Sequence, residues 1–239
     1  MSLDDMILKI EENDSGFTST WAKVTRLDCA DLFSNPRLSG DPFFNKLTNI
    51  TRISEKVIDQ AVSIFQNQGQ RVFVYVLDNP KLEDYLSEKG FSYYDTLHVF
   101  RISNVSSGDF SIRKISSKDS MLWTEIFCSA YDCAEWSEEV NNIVKNSISQ
   151  VNYFVDSDYS ASCVALYERN SILGLYCLGT KPEKRKKRLA SLHVDHALNI
   201  LKQNRMRFLM LESFGRDNLL EFYSKLGFEK IYEKRIFAI

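Results

Sequence analysis

The fold class this sequence predicts is α/β (α+β by its strand pairing): two related units, each a mixed, mostly antiparallel central sheet flanked by helices. Two observations carry that prediction. A shift of 137 residues superposes the last third of the two halves: Gly90-Phe91 falls on Gly227-Phe228, Phe100 on Phe237, Ile102 on Ile239, and the strand-like Arg71–Leu77 on Phe208–Phe214. With one residue of slip, Ile58, Ala61, Val62 and Phe65 fall on Val194, Ala197, Leu198 and Leu201, an apolar helical stripe in both copies. The second observation is the segment Leu173–Ser191. It runs from an apolar strand ending at Thr180, through a basic turn after Pro182, into helical periodicity that starts near Leu189. The polar stretch Ser103–Asp109 divides the chain into units spanning residues 1–105 and 106–239.

Within the second unit, Phe110–Ser116 reads as a first strand. Lys118–Tyr131 and Ala134–Ser149 read as helices, with Trp123, Ile126, Phe127 and Ala130 as an apolar stripe. Three strands follow, Tyr153–Asp156, Ser162–Tyr167 and Ile172–Thr180, with Arg169-Asn170-Ser171 as a hairpin turn. The order then continues with a helix over Leu189–Asn204, a strand over Phe208–Phe214, a helix through Leu219–Lys225 and a last strand, Tyr232–Ala238.

Composition bounds the function classes. A chain of 239 residues with 44% hydrophobic and 26% charged residues is ordinary for a globular protein, and a net charge of −2 offers no global attraction for nucleic acid or a membrane. No apolar run approaches the roughly 18–20 residues needed to span a bilayer. Met1–Met6 is acidic and lacks an apolar h-region, so no secretory leader is expected there and the cytoplasm is the expected compartment. Five scattered cysteines, with no Cys-x-x-Cys pair, agree with a reducing environment. His193 and His196 lie three apart on a helical stretch but have no evident third ligand, so no metal site is expected.

The turn after Thr180 is a good place to hold a phosphorylated ligand. A helix start offers unpaired N–H groups and a partial positive charge, and Lys184, Arg185, Lys186, Lys187 and Arg188 add full charges. Lys-Arg-Lys-Lys-Arg also fits a nucleic-acid patch, but it lacks interleaved aromatics and a second basic cluster. A solvated basic turn is the plainer alternative. The first unit has Thr48–Ser54 at this place, with a single positive charge and no glycine, so a cofactor is expected only in the second unit.

Thr180-x-Pro182-Glu183-x-Arg185-x-x-x-x-Ala190 resembles the acyl-CoA-binding turn of the GNAT superfamily of N-acetyltransferases: Arg or Gln, two residues, Gly, one residue, then Gly or Ala. Arg185 fills the first position and Ala190 the last, whereas Arg188 stands in place of the middle glycine. Downstream, Tyr223-Ser-Lys225-Leu-Gly227-Phe228 is similar to the Tyr-x-Lys-x-Gly-Phe signature near the end of that fold. The resemblance covers residues 110–239 and makes the first unit a degenerate GNAT-like half.

What the resemblance implies is an acyl-CoA-dependent N-acyltransferase that takes acetyl from acetyl-CoA and passes it to an amine, small molecule or peptide, by direct attack in a ternary complex. Cofactor contacts then fall on Leu178, Gly179 and Thr180 for the thioester arm, and on Arg185, Lys186, Lys187, Arg188, Leu189, Ala190 and Ser191 for the pyrophosphate, with Asn218 as a weaker match that could equally cap a helix. Tyr223 becomes the acid that protonates the departing thiolate, against the alternative of aromatic packing on Phe222 and Phe228. Glu212 becomes the candidate base, against a surface or salt-bridged glutamate. The acceptor pocket is expected among Trp123, Tyr131, Glu135 and Trp136. The rival reading is a non-catalytic ligand-sensing or interaction module with weak CoA binding.

Overall fold

A computed structural model describes residues 1–104, 111–158 and 160–239. In chain order it contains α1 (Leu3–Thr18), β1 (Lys23–Arg26), β2 (Asp31–Ser34), β3 (Lys46–Thr48), α2 (Glu55–Asn67), β4 (Phe73–Val76), α3 (Pro80–Glu88) and β5 (Ser92–Ile102). There follow β6 (Ile112–Lys114), α4 (Ser120–Tyr131), α5 (Ser137–Ser147), β7 (Asn152–Asp156), β8 (Ser162–Arg169), β9 (Ile172–Thr180), α6 (Leu189–Gln203), β10 (Phe208–Phe214), α7 (Leu220–Lys225) and β11 (Glu229–Ala238). The mixed sheets with flanking helices are those expected from the sequence. No helix among the described residues is long and apolar enough to cross a membrane.

The chain forms two compact units, but they do not follow a single cut near residue 105. One unit contains Met1–Phe17, Phe100–Glu212 and Tyr223–Glu229; the other contains Thr18–Val99, Ser213–Phe222 and Lys230–Ile239. Residues 105–110, which hold most of the expected linker and the first residue of the expected first strand, lie outside the described residues. Two long-range attachments explain the interleaving. The last strand pairs antiparallel with β4, from Arg235↔Val76 to Ala238↔Phe73, and so completes the sheet of the earlier residues. The first helix, which local periodicity did not announce, is anchored instead on β9. Asn13 donates to the carbonyl of Ile172 (3.2 Å) and accepts from the Tyr176 hydroxyl (2.7 Å), while Phe17 stacks on Tyr176 with ring centroids 3.9 Å apart. Gly174 makes room for this contact, since a Cβ there would lie 2.3 Å from Asn13 Oδ1.

In the unit built around residues 100–212, β6, β7, β8 and β9 pair antiparallel in succession, and β9 pairs parallel with β10. A parallel pair needs a crossover, and α6 supplies it. The β8–β9 connection is a two-residue hairpin in which Asn170 and Ser171 both have positive φ (55° and 60°), as a type I′ turn requires. Helix α4 buries Trp123, Ile126 and Phe127, and the Trp123 indole donates to the Val164 carbonyl at 3.2 Å.

In the other unit, β1, β2 and β3 pair antiparallel and β3 pairs parallel with β4 through Leu47↔Val74, with α2 between them in sequence. Side chains alternate across β4. Val74 and Val76 join Val57, Ile58, Ala61 and Phe65 of α2 in one core, while Phe73 and Tyr75 join Leu97 and Ile236 in a second.

Candidate functional site

The pairing of β9 with β10 runs from Ile172↔Phe208 to Leu175↔Leu211, and Glu212 is the first β10 residue beyond it. On the opposite edge, the β8–β9 register shifts between Cys163 and Ala165, so Cys177 and Leu178 together face Val164 alone. Cys177 has φ of 53°. This is a bulge, and a bulge bends its strand and breaks the ladder. Leu178, Gly179 and Thr180 therefore follow the end of the parallel pairing, where Glu212 is half-buried.

The last turn of α4 closes on this strand end. Tyr131 donates its hydroxyl to the Leu178 carbonyl at 3.1 Å. A Cβ on Gly179 would lie 2.8 Å from Ala130 Cβ and 3.2 Å from Tyr131 Cε2. Only glycine permits that approach. Arg185 completes the bracket: Nε donates to the Thr180 carbonyl (3.2 Å) and Nη2 to the Ala130 carbonyl (2.9 Å). The guanidinium thus satisfies one acceptor at a strand end and one at a helix end. Ala130 was read only as a member of the apolar stripe, and the tie from Arg185 to α4 was not readable from sequence, because the partners lie 55 residues apart.

After Thr180 the chain makes a short 3-10 turn over Pro182–Lys184, and the sign of φ then alternates. Arg185 has φ of −61°, Lys186 64° and Arg188 61°, with Lys187 outside the positive region and α6 starting at Leu189. Arg185 itself is extended (ψ 162°), and the positive φ values at Lys186 and Arg188 fold the chain tightly just ahead of α6. Helix α6 makes its first hydrogen bond from Leu192 N to Arg188 O, at 3.0 Å. The N–H groups of Leu189, Ala190 and Ser191 precede that bond, and among the described residues they have no backbone acceptor. Arg188 stands where glycine was expected and still takes the left-handed conformation that glycine adopts freely, at a cost of about 1–2 kcal/mol. The side chains of Arg185 to Arg188 are exposed.

Tyr223 is buried, its ring 5.5 Å from that of Phe100 and 5.8 Å from that of Phe228. Asn218 belongs to the other unit. Its φ of 53° and the bond from its N–H to Gly215 O (3.1 Å) close a 3-10 turn over Gly215–Asp217. Of the expected acceptor lining, Trp123 is fully buried core, placed there by the helical stripe it shares with Ile126 and Phe127. Tyr131 and Glu135 are exposed and Trp136 is half-buried, all at or just after the end of α4.

Sequence reasoning missed one buried polar chain. Asp156 Oδ1 accepts from the Ser162 hydroxyl (2.8 Å), and Ser162 Oγ lies 2.9 Å from His193 Nε2. Because the serine hydrogen goes to the carboxylate, His193 donates through Nε2–H and leaves Nδ1 as a lone pair, with no hydrogen-bond partner among the described residues. Burial pulls the His193 pKa down to about 4, against the opposing pull of Asp156, so the ring is neutral. His196 rests edge-on against Phe154, centroids 4.8 Å apart. At the place in the other unit that corresponds to the basic turn, Thr51 N is bonded to Cys29 O (2.9 Å) and Arg52 is paired with Asp28.

No family model matches the sequence, and no curated protein matches it. Solved structures do. The chain is similar to a GCN5-related N-acetyltransferase from Kribbella flavida, with a TM-score of 0.68 and 12% identity over 96% of this chain and 93% of that one. Another such enzyme from Sphaerobacter thermophilus gives 0.66 at 11% identity over 98% and 90%. A tandem GNAT protein from the clavulanic acid biosynthesis pathway gives 0.59 at 10% identity over 100% and 96%. At these identities the likeness shows the fold: the chain has the architecture of GCN5-related N-acetyltransferases, a tandem member among them.

Proposed function

We propose that the chain is an acetyl-CoA-dependent N-acetyltransferase whose cofactor turn is Leu178–Ser191. The observation that carries this reading is the backbone at Lys186 and Arg188, whose positive φ values lead into three helix-start N–H groups without backbone acceptors. These groups fit a diphosphate, with the cations of Lys186, Lys187 and Arg188 adding charge beside them. Acetyl-CoA brings its acyl group as a thioester, and the bulged end of β9 offers backbone groups for the thioester arm. Glu212, at the end of the β9–β10 pairing, is the residue we assign to draw a proton from the amine, directly or through water. We assign Tyr223 to return one to the thiolate. A phenol O–H is a chemically suitable proton donor to a departing thiolate.

The acceptor is an amine, of a small molecule or a peptide. The other unit is read as a degenerate copy. From β1 in one unit and β7 in the other, the pairings run antiparallel, antiparallel, parallel with a helix before the last strand of that series, but the counterpart of the basic turn has its one arginine paired.

Calorimetry with acetyl-CoA tests the reading. Saturable micromolar binding, lost when Lys186, Lys187 and Arg188 are replaced by Ala, supports it. An absence of binding at millimolar acetyl-CoA favours the non-catalytic module instead, the outcome that Arg188 in a glycine position would then explain. A thiol-release screen over amines identifies the acceptor class.

A further inference from the structure

Helix α4 ends with Asp132 in the left-handed conformation (φ 53°, ψ 49°), its N–H bonded to the Cys128 carbonyl, and Cys133 N donates to the same carbonyl at 3.0 Å. This is a Schellman ending, in which the residue after the left-handed position packs its side chain on the residue five earlier. That contact is usually apolar. Here both residues are cysteines, and their thiols are hydrogen-bonded to each other. With standard backbone dimensions, the 3.0 Å bond holds the two Cα atoms within roughly 7 Å, the reach of a disulfide. Both residues are buried, at 6% and 3% exposure.

We propose that Cys128 and Cys133 are a dithiol–disulfide pair, a redox modification site at the end of α4. Cys128 is the attacking sulfur: the Cys133 S–H bonded to it favours its thiolate and draws its pKa below the usual thiol range, with burial and, more weakly, Glu135 opposing. Cys163, the next thiol inward, is completely buried and its pKa is pushed up, so it stays protonated. The reaction needs an oxidant of the low-molecular-weight disulfide class. The Cys128 thiolate attacks one sulfur of glutathione disulfide and expels one glutathione thiolate. Cys133, giving up its proton, then attacks the Cys128 sulfur of the mixed disulfide and expels the second. Two protein thiols lose two electrons and two protons, and one disulfide becomes two thiols.

The test equilibrates the full chain with glutathione and glutathione disulfide at rising oxidised fractions. Remaining thiols are then alkylated in denaturant and the peptides mapped by mass spectrometry. The expected result is the loss of two alkylatable thiols into a Cys128–Cys133 cross-link, with Cys29, Cys163 and Cys177 still alkylated. The cross-link forms at a lower oxidised fraction in the folded chain than in the denatured one. Cys133→Ser stops at glutathione on Cys128, and Cys128→Ser leaves Cys133 largely unmodified. Absence of the cross-link from the folded wild type at the most oxidising ratio overturns the proposal, as does linkage of Cys128 to Cys163. Equal glutathionylation of the two single variants also overturns it. None of these readouts depends on acetyl-CoA binding.

Discussion

A Cβ placed on Gly179 would come within 2.8 Å of the Cβ of Ala130. Ala130 has no flexible end to swing aside, so the last turn of α4 or the end of β9 has to move. Gly179→Ala is therefore expected to cost about 1–3 kcal/mol in stability, the usual range for overpacking. It should also strain the bonds from Tyr131 to Leu178 and from Arg185 to Ala130 and Thr180. Denaturant unfolding measures the first effect and acetyl-CoA calorimetry the second. A variant that keeps wild-type midpoint and affinity would mean that α4 does not hold the strand end.

Arg188 sets two forces against each other. Its left-handed backbone costs about 1–2 kcal/mol that glycine would not incur, while its guanidinium adds a cation beside the proposed diphosphate site. Arg188→Gly should raise the thermal midpoint by a few degrees and flatten the salt dependence of acetyl-CoA binding. The loss of one charge-assisted contact is worth at most about 1.5–3 kcal/mol. Arg188→Ala removes the cation but keeps the strain, so it should weaken binding without the gain in stability. Equal midpoints for the Gly and Ala variants would show that the conformation at 188 carries no strain.

Tyr223 is packed by its ring, between Phe100 and Phe228. Removing the hydroxyl alone leaves that packing in place. Tyr223→Phe should therefore keep the fold and acetyl-CoA affinity while lowering turnover by about 10²-fold or more, the lower end of what general acid catalysis contributes. Once an amine acceptor is in hand, a kcat measured beside the Kd separates the roles. Unchanged turnover would assign thiolate protonation to another group or to water.

The local parts of this molecule were legible and the long-range ones were not. Phe208–Phe214 is β10 to the residue, and the expected hairpin turn holds Asn170 and Ser171 at positive φ, because strand pattern and turn chemistry are written within a few residues. The turn Thr180–Ser191 was legible for the same reason: its strand end, basic run and helix start are contiguous. What decides its width comes from α4, and nothing around Ala130 or Tyr131 signals that partner. The Asn13–Gly174 contact and the pairing of β11 with β4 are likewise choices among distant partners, and these interleave the two units. Trp123 misled in the other direction. Its spacing to Ile126 and Phe127 marks a core stripe, and the aromatic residue belonged to that stripe.

The His193 ring offers a pH test that is independent of activity. Burial lowers its folded-state pKa to about 4, while an unfolded histidine titrates near 6.5. Between those values the unfolded chain binds a proton that the folded chain refuses, so the free energy of unfolding falls as pH falls. The slope from this group is at most about 1.4 kcal/mol per pH unit, it vanishes above about pH 6.5, and no further loss from it is expected below about pH 4. The Asp156 charge and the Ser162 contact each pull the pKa upward, and His196, itself lowered by burial, adds a parallel contribution of the same sign as His193. His193→Gln retains an N–H donor toward Ser162 but cannot titrate. Urea unfolding from pH 7.5 to 4.5 should therefore show a shallower decline for the variant than for the wild type, with the difference confined to pH values below about 6.5. Parallel curves for the two proteins would mean that the ring is protonated in the folded state and that Ser162 does not hold it as the neutral tautomer.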